Sequence, residues 1–316
     1  MTRSVLVYSM GEVIGDGLVK LPFVAGLRAA FPEAAISWCA AKGSTVYASA
    51  LKPVVQGLID EVVTDPPTGA GPLDWLPWLK PFGGRTFDLV IDTQENVRRS
   101  LVARRAAGRF VSAAGRDDLP PAVVDRLATL LAEASPGAAP RPLTLANARA
   151  LRAAEALLPA GPKYVGFAPG AGGQDKRWPL DRYIALARMQ EERGRVPVFF
   201  FGPDEDRDAA ATATALPDAL MPEEDRVDPY PEIRGPLLVI ALAGRLSAAV
   251  ANDAGPGHML AAGGAPLLSL QKDKRKAVKF RPAARRLELL IAEDYGDSME
   301  ALPLDAAAKA LERLLA

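Results

Sequence analysis

Short apolar segments alternate with amphipathic or alanine-rich segments along most of this 316-residue chain. The apolar segments are bounded by glycine, proline or acidic residues, and the clearest of them read SVLVYS, AISWCA, FDLVIDT, KYVGFAPG, VPVFFFG, AAVAND and PLLSL. Strands that are apolar on both faces and alternate with helices are typical of parallel sheets covered by helices on both sides. The sequence therefore predicts an α/β fold.

The order of strand, glycine-rich loop and helix begins twice, first at SVLVYSMGEVIGDGLVKLPF and again at KYVGFAPGAGGQDKRWPLDRY. We therefore predict two Rossmann-like, doubly wound domains, residues 1–159 and residues 160–298, with a final helix in residues 299–316 packing back on the first domain. An alanine-, proline- and glycine-rich segment, residues 132–143, precedes the boundary. In this arrangement a ligand is expected in the crevice between the carboxyl ends of two sets of strands.

Charge and cysteine content narrow the classes of partner. Lys and Arg total 38 and Asp and Glu total 38, so no net field would draw the protein to nucleic acid. Cys39 is the single cysteine, and its apolar neighbours indicate a buried strand thiol in a reducing compartment. The chain contains no apolar run of about 18 residues, and its opening MTRSVLVYSMG does not resemble a signal peptide. We expect a cytoplasmic protein with at most peripheral membrane contact.

The segment VANDAGPGHMLAAGGAPLLSL holds the only histidine of the chain, His258. It is predicted to form a strand, a tight turn and a short helix before the next strand. Free backbone N–H groups at a helix N-terminus favour phosphate, and Asp253 and His258 would flank such an anion site. The alternative is that Asp253 caps the helix while His258 only packs in its first turn.

Two further loops follow predicted strands of the second domain. In APGAGGQDKRWPLDRY, Gly170 and its neighbouring glycines permit close backbone approach, and Lys176 and Arg177 bring cations to the loop, where a diphosphate would fit. The alternative is a solvated loop, and Trp178 is expected to pack between helix and sheet in either case. In the acidic GPDEDRD, a carboxylate can accept hydrogen bonds from a ribose or a base, or simply face solvent.

The loop after the first strand, SMGEVIGDGLVKLPF, contains two acids. Asp16 lies between two glycines, and its carboxylate would project from a loop or helix start toward the crevice. Its alternative role is helix N-cap, and Glu12 competes with it as the functional acid. The spacing matches neither a Walker loop nor a G-x-G-x-x-G motif.

Two basic clusters lie beyond strand ends. VRRSLVARRAAGR, residues 97–109, includes Arg98 and Arg99 and has no acid, and KDKRKAVKFRPAARR, residues 272–286, has eight basic residues and one acid. Each cluster is either a solvent-exposed surface of the protein or a functional group of side chains. In the second case it would lie near the crevice or face a membrane.

Taken together, these segments resemble glycosyltransferase family 9, the lipopolysaccharide heptosyltransferase family, which has the GT-B fold of two Rossmann-like domains facing across a cleft. IGDGLVKLPFVAGLRAAFPEAAI is similar to the N-terminal motif of that family, and FDLVIDTQENVRRSLVARRAAG to its mid-domain strand and helix. PGAGGQDKRWPLDRY resembles its lysine-tryptophan-proline loop, and NDAGPGHMLAAGGAPLLSL its aspartate-x-glycine-x-x-histidine motif.

The resemblance implies a metal-independent, inverting transfer of heptose or a related sugar from a nucleotide-diphospho-sugar, with no cofactor. The acceptor would be a lipopolysaccharide core or another surface glycan, met at the cytoplasmic face of the inner membrane. Asp16 would be the catalytic base, because the spacing from Gly15 to Pro22 matches the family motif. The residues that would bind the donor are Gly170, Lys176, Glu205, Asp253, Gly255, Gly257 and His258. We assign Arg98 and Arg99 to the anionic acceptor.

The chain departs from the family pattern at three positions. Ala254 stands where the family usually has Thr or Ser, and Ala171 and Gly172 stand where hydroxyl residues are frequent. At least one hydrogen bond to the donor would be missing. Two alternatives follow: a catalytically degenerate GT-B protein that binds a nucleotide or glycan, and a GT-B-fold nucleotide-sugar epimerase.

Overall fold

The computed structural model describes residues 2–64, 66, 72–76, 78–224 and 229–316. The chain divides into two compact units, Met1–Ala146 and Asn147–Ala316. Each unit contains one five-stranded sheet in which every pair of neighbouring strands is parallel. The α/β class and the doubly wound organisation predicted from the sequence are confirmed.

In the first unit, the sheet has the strand order β3-β2-β1-β4-β5. Its strands and helices, in chain order, are β1 (Ser4–Ser9), α1 (Ile14–Ala30), β2 (Ala35–Ala40), β3 (Glu61–Thr64), β4 (Phe87–Asp92), α2 (Val97–Arg104), β5 (Ala107–Ser112) and α3 (Val123–Ala134). The central strands β1 and β4 are buried along almost their whole length, because their side chains are apolar on both faces.

In the second unit, the sheet has the strand order β10-β9-β8-β6-β7. Its elements are α4 (Ala148–Leu157), β6 (Tyr164–Ala168), α5 (Leu180–Glu191), β7 (Val196–Phe199), α6 (Asp206–Ala215), α7 (Gly235–Ala243), β8 (Leu246–Asn252), α8 (Gly255–Ala262), β9 (Leu267–Gln271), α9 (Lys274–Lys279), β10 (Leu287–Ile291) and α10 (Leu304–Leu315). Its core includes the stacked pair Phe167 and Phe199, whose ring centroids are 5.1 Å apart.

Both sheets reverse their strand order next to the first strand of the unit. In the first unit β1 pairs with β2 on one side and β4 on the other, and in the second unit β6 pairs with β7 and β8. Ligands of open parallel sheets bind beyond the carboxyl ends of the strands at such a point. The loops after β1 and β4, and those after β6, β7 and β8, are therefore the places to look for functional side chains.

The boundary between the units and the position of the final helix differ from expectation. Residues 147–159, expected in the first domain, belong to the second unit, where α4 packs against α7 through three buried alanines, Ala150, Ala153 and Ala154. Helix α10 also belongs to the second unit, where it contacts β8, β9, β10 and α5. The reason is its apolar face, since Ala307, Leu311 and Leu314 are part of the core built on that sheet.

Two predictions about single buried residues are confirmed. Cys39 lies in β2 with no exposed surface, and burial raises the pKa of its thiol well above the usual range. Trp178 is buried between α5 and the sheet, and its indole Nε1 donates a hydrogen bond to the carbonyl of Leu302 at 3.0 Å. Within the described part of the chain, no helix combines the length and the apolar composition that a membrane crossing requires.

We predict that Leu311→Ala destabilises the second unit by about 2–5 kcal/mol, because it leaves a cavity in a packed core. The matched control is Lys309→Ala, an exposed position in the same helix, where we expect a change within about 0.5 kcal/mol. Hydrogen exchange should show lost protection in β8–β10 and unchanged protection in β1 and β2. Protection lost only in the first unit would contradict the packing of α10 on the second sheet.

Candidate functional site

The N-terminus of α8 lies at the carboxyl end of β8 and is not capped by a side chain. Its N-cap is Ala254, and no side chain of the described residues caps its first turn. The backbone N–H groups of Gly255 and Gly257 are therefore available, whereas Pro256 has none. Such N–H groups, together with the helix dipole, favour an anion. Because the cap is Ala254, Asp253 does not cap this helix, which removes that alternative.

Gly257 allows α8 to begin close to the strand before it. A Cβ atom at this position would lie 3.1 Å from the carbonyl oxygen of Asn252 and 3.2 Å from the Cβ of Ala251. A larger residue would push the first turn of the helix away from the end of β8. Gly257 therefore keeps the N-terminus of α8, where an anion would bind, close to the end of β8.

His258 lies in the first turn of α8 and is buried, with 7% of its surface exposed. Burial lowers the pKa of its imidazole from 6.5 to about 4, while the nearby Asp253 acts in the opposite direction. The ring is therefore neutral near pH 7, and its Nδ1 has no hydrogen-bond partner among the described residues. A buried ring nitrogen without a partner is unusual in a packed protein.

Lys176 reaches the same place from the loop after β6. Its Nζ lies 3.5 Å from Oδ2 of Asp253, and the Lys176 side chain is 35% exposed. The contact is long for a hydrogen bond, and the ammonium keeps donors that Asp253 does not use. The structure therefore brings Lys176, Asp253 and the N-terminus of α8 together.

Glu205 and Gly170 meet where the loops after β6 and β7 lie side by side. A Cβ atom at position 170 would lie 2.1 Å from Glu205 Oε1, so any larger residue there would displace the Glu205 carboxylate. The buried Glu205 carboxylate accepts from the backbone N–H of Gly202 at 2.8 Å and from Arg177 Nη2 at 3.1 Å. A carboxylate has about four acceptor sites, so Glu205 keeps capacity for a ligand.

Arg177 and Asn252 hold these loops in place. We expected Arg177 to meet a diphosphate beside Lys176, and no sequence pattern pointed to Asn252. Arg177 also donates to the carbonyl of Ala171 and to Asp208, so its charge is satisfied within the protein. Asn252, buried at the end of β8, donates to the carbonyl of Pro169 and accepts from the backbone N–H of Trp178. Lys272, the first residue of the basic run 272–286, contacts the loop after β6, since its Nζ lies 2.7 Å from Oδ2 of Asp175.

The loop after β1 separates the two candidate acids of the first unit. Glu12 is buried and its carboxylate accepts from Lys20 and Trp38 as well as from Ser9. Asp16 is half-buried in the first turn of α1, and it makes no hydrogen bond or ion pair with any residue that the structure describes. It is not the N-cap, which is Val13. Of the two acids, Asp16 is the one whose carboxylate is free to act on a ligand.

Arg98 and Arg99 lie in the first turn of α2, beyond the end of β4. The side chain of Asn96 caps this helix by accepting from their backbone N–H groups. Arg98 is exposed, whereas Arg99 is half-buried and its Nη1 lies 2.7 Å from Sδ of Met10 in the loop after β1. Arg99 therefore lies at the same edge of the sheet as the loop that leads to Asp16. Both guanidinium groups suit an anionic ligand.

The sequence model of glycosyltransferase family 9 (heptosyltransferase) matches residues 78–301, and the chain therefore belongs to this family. The matched range includes the whole second sheet and the loops that carry Lys176, Glu205 and His258, whereas Asp16 lies before it. A comparison with curated protein sequences finds no significant match.

Solved structures of similar fold include members of the same family. A family 9 glycosyltransferase from Veillonella parvula has a TM-score of 0.70 at 17% identity, over 99% of this chain and 97% of that one. The E. coli heptosyltransferase WaaC, solved with ADP, has a TM-score of 0.65 at 17% identity, over 99% of both chains.

A UDP-GlcNAc 2-epimerase from Methanocaldococcus jannaschii has a TM-score of 0.52 at 11% identity, over 100% of this chain and 93% of that one. At these identities the likeness concerns the fold, which is GT-B-like with two parallel sheets.

We predict that the His258 imidazole of the folded protein titrates near pH 4 rather than near 6.5, because the buried ring resists a charge. The proton NMR signal of this single histidine should therefore stay constant from about pH 8 to about pH 5.5 and then shift. The same chain in denaturant, titrating near the ordinary value, is the control.

Because folding lowers the pKa of His258, the neutral ring contributes to the free energy of unfolding above about pH 6.5. That contribution is lost as pH falls through about 4. A midpoint near 6.5 in the folded protein would contradict the burial of the ring.

Proposed function

We propose that the protein is an inverting glycosyltransferase that moves heptose or a related sugar from a nucleotide-diphospho-sugar to a surface-glycan acceptor such as a lipopolysaccharide core. The observation that carries this proposal is the gathering of anion-binding groups at one sheet edge. The uncapped N-terminus of α8, the Lys176 ammonium and the buried His258 converge on the end of β8. A diphosphate suits these groups, and the family membership supplies the reaction class.

The donor is proposed to lie along the loops of the second sheet. Gly255, Gly257 and Lys176 would bind the diphosphate, and Asp253 would orient Lys176 through their contact. Gly170 and Glu205 would meet the nucleoside, since the Glu205 carboxylate retains acceptor sites for a ribose or a base. The E. coli heptosyltransferase WaaC has been solved with ADP and with ADP-2-deoxy-2-fluoro heptose, which supports an ADP-linked sugar as the first donor to test.

In the proposed reaction, an acceptor hydroxyl attacks the anomeric carbon while the bond from that carbon to the diphosphate oxygen breaks. Asp16 takes the proton of the hydroxyl, and the nucleoside diphosphate leaves with the bonding electron pair. Attack from the side opposite to the leaving group inverts the anomeric centre. The charge that develops on the diphosphate is met by backbone N–H groups of α8 and by Lys176.

We propose that this transfer does not need a metal ion. Among the described residues, His, Cys, Asp and Glu side chains form no group of three suited to hold one. The support is that α8 and Lys176 already supply positive potential where the leaving group would lie. No cofactor beyond the donor substrate is required.

The acceptor is proposed to be an anionic glycolipid or glycan that contacts Arg98 and Arg99. Two apolar residues on the same helix, Val97 and Leu101, are 51% and 48% exposed. They lie one turn apart, so α2 presents apolar and cationic groups together, a combination that suits an anionic membrane surface. This supports peripheral contact with a membrane, which we propose takes place at the cytoplasmic face of the inner membrane.

One observation favours a second candidate function, a degenerate family member that binds a nucleotide or glycan without turnover. The N-cap of α8 is Ala254, which offers no hydroxyl to a donor, and the loop after β6 has Ala171 and Gly172 where the family often has hydroxyl residues. An epimerase remains a third outcome of the assay below. These functions differ in whether nucleoside diphosphate is released and whether release requires an acceptor.

We predict that Lys176→Met weakens nucleoside diphosphate binding by about tenfold to about 100-fold, the effect of removing a charge-assisted hydrogen bond. The matched control is Lys163→Met, an exposed lysine just before β6, at the opposite edge of the same sheet. Isothermal calorimetry with ADP measures both variants. Equal affinity in the two would remove Lys176 from the donor site.

We predict that Asp16→Asn lowers turnover by at least about 100-fold with donor affinity little changed, because the acceptor hydroxyl loses its base. The measurement is release of nucleoside diphosphate from a panel of nucleotide-sugars, with and without a glycolipid acceptor, in the presence of a chelator. Wild-type release that persists under chelation supports the proposed reaction. Full turnover in Asp16→Asn would refute the base assignment, and absence of release with every donor would favour the binding-only function.

A further inference from the structure

A buried hydrogen-bonded group lies at the carboxyl end of β1, outside the candidate residues that contact the substrates. Lys20 Nζ lies 2.8 Å from Oε1 of Glu12 and 2.8 Å from Oγ of Ser9. The Ser9 hydroxyl donates to the same Glu12 oxygen, and Trp38 Nε1 donates to the other one at 3.3 Å. Each polar atom of this group has a partner, so its geometry is strongly determined.

Asp16 stands one helical turn before Lys20 on the same face of α1. An acid four residues before a lysine is the favourable arrangement for an ion pair on a helix. Lys20 nevertheless pairs with Glu12, and its ammonium also lies 5.8 Å from the centroid of the Trp38 ring. Asp16 is left without an ion pair to any described residue.

The charged and titratable side chains near Asp16 include those of Lys20, Glu12 and Tyr47. Lys20 shares its helix, Glu12 precedes the helix, and Tyr47 packs against it, with its hydroxyl donating to the carbonyl of Gly17 at 2.6 Å. Burial raises the pKa of Tyr47, and the negative charges of Glu12 and Asp16 raise it further, so this phenol stays neutral. Lys20 is thus the only cation in this set, and Glu12 determines where it points.

We propose that Glu12 is a positioning residue, which holds the Lys20 ammonium away from Asp16 and so keeps the Asp16 carboxylate free to accept a proton. The proposal rests on the proposed function, in which Asp16 is the base. A carboxylate that is paired with a lysine is a weaker base, because the opposite charge favours its ionised form. The ammonium would also occupy an oxygen that the acceptor hydroxyl needs.

The decisive variant is Glu12→Gln, which keeps the size of the side chain and removes its charge. Lys20 then has one nearby carboxylate left in this set, that of Asp16, and is expected to pair with it. We expect kcat to fall by about tenfold, less than in Asp16→Asn, and the acid limb of the kcat/KM profile to move to lower pH. A purely structural role for Glu12 would lower the amount of folded protein without moving that limb.

The matched rescue is the double variant Glu12→Gln with Lys20→Met, which removes both charges. Without the ammonium there is nothing for Glu12 to restrain, so kcat and the acid limb should return close to wild type. The double variant also avoids an unpaired charge in a buried place, and it remains decisive if Glu12→Gln alone does not fold. A folded double variant that stays about tenfold slower than wild type would overturn the proposal.

A second readout does not depend on turnover. The carboxyl carbon of Asp16, assigned by its loss in Asp16→Asn, is followed by NMR as pH is lowered. We expect its midpoint to fall in Glu12→Gln relative to wild type and to return in the double variant; an unmoved midpoint would refute the positioning role. If the midpoint moves but Asp16→Asn keeps full turnover, the proposed base is wrong while the Glu12 and Lys20 relation stands.

Discussion

The candidate donor site depends on the side chain of Asn252. This amide is buried at the end of β8, and it donates to the carbonyl of Pro169 at 2.6 Å while accepting from the N–H of Trp178 at 3.1 Å. It therefore joins the strand that leads to α8, the loop after β6 and the entry to α5. Lys176 and His258 lie on these joined segments, so their relative positions are set before any ligand arrives. A site that is ordered in advance loses less conformational entropy on binding.

In the first unit, too, a buried polar side chain holds a loop in place, but here the side chain is charged. Its functional loop connects β1 to α1, and it is fixed by the buried carboxylate of Glu12 rather than by an amide. A buried carboxylate is stable only when it is paired and hydrogen-bonded, and Lys20, Ser9 and Trp38 meet that need. The Glu12 carboxylate is therefore engaged within the protein, whereas the Asp16 carboxylate stays available to a ligand. In both units, buried polar side chains hold the loops that carry the candidate site residues.

The parts of this fold that depend on local sequence patterns, above all the strands, could be predicted from the sequence. All seven apolar segments quoted from the sequence are strands. Six of them are central strands, which must be apolar on both faces, and the seventh is the edge strand β7, which is also mostly buried. The edge strands β3 and β5 and the edge strand β10 were not predicted, since they are partly exposed and need no continuous apolar run. Residues 147–159 and the final helix were expected with the first domain, because an amphipathic face shows that a helix packs, not on which sheet. Asn252 escaped notice, and Arg177 was expected at the diphosphate, because their side-chain partners are far away in the chain. Pro169 lies 83 positions from Asn252, and Glu205 lies 28 positions from Arg177.

We propose that one edge of the second sheet binds the diphosphate of a nucleotide-sugar. A crystal structure of the protein with bound nucleoside diphosphate would test this proposal. We expect phosphate oxygens within about 3 Å of the backbone nitrogens of Gly255 and Gly257 and of Lys176 Nζ, with the nucleoside beside Glu205. A diphosphate bound elsewhere on the protein, with α8 and Lys176 making no contact to it, would contradict the proposed donor site.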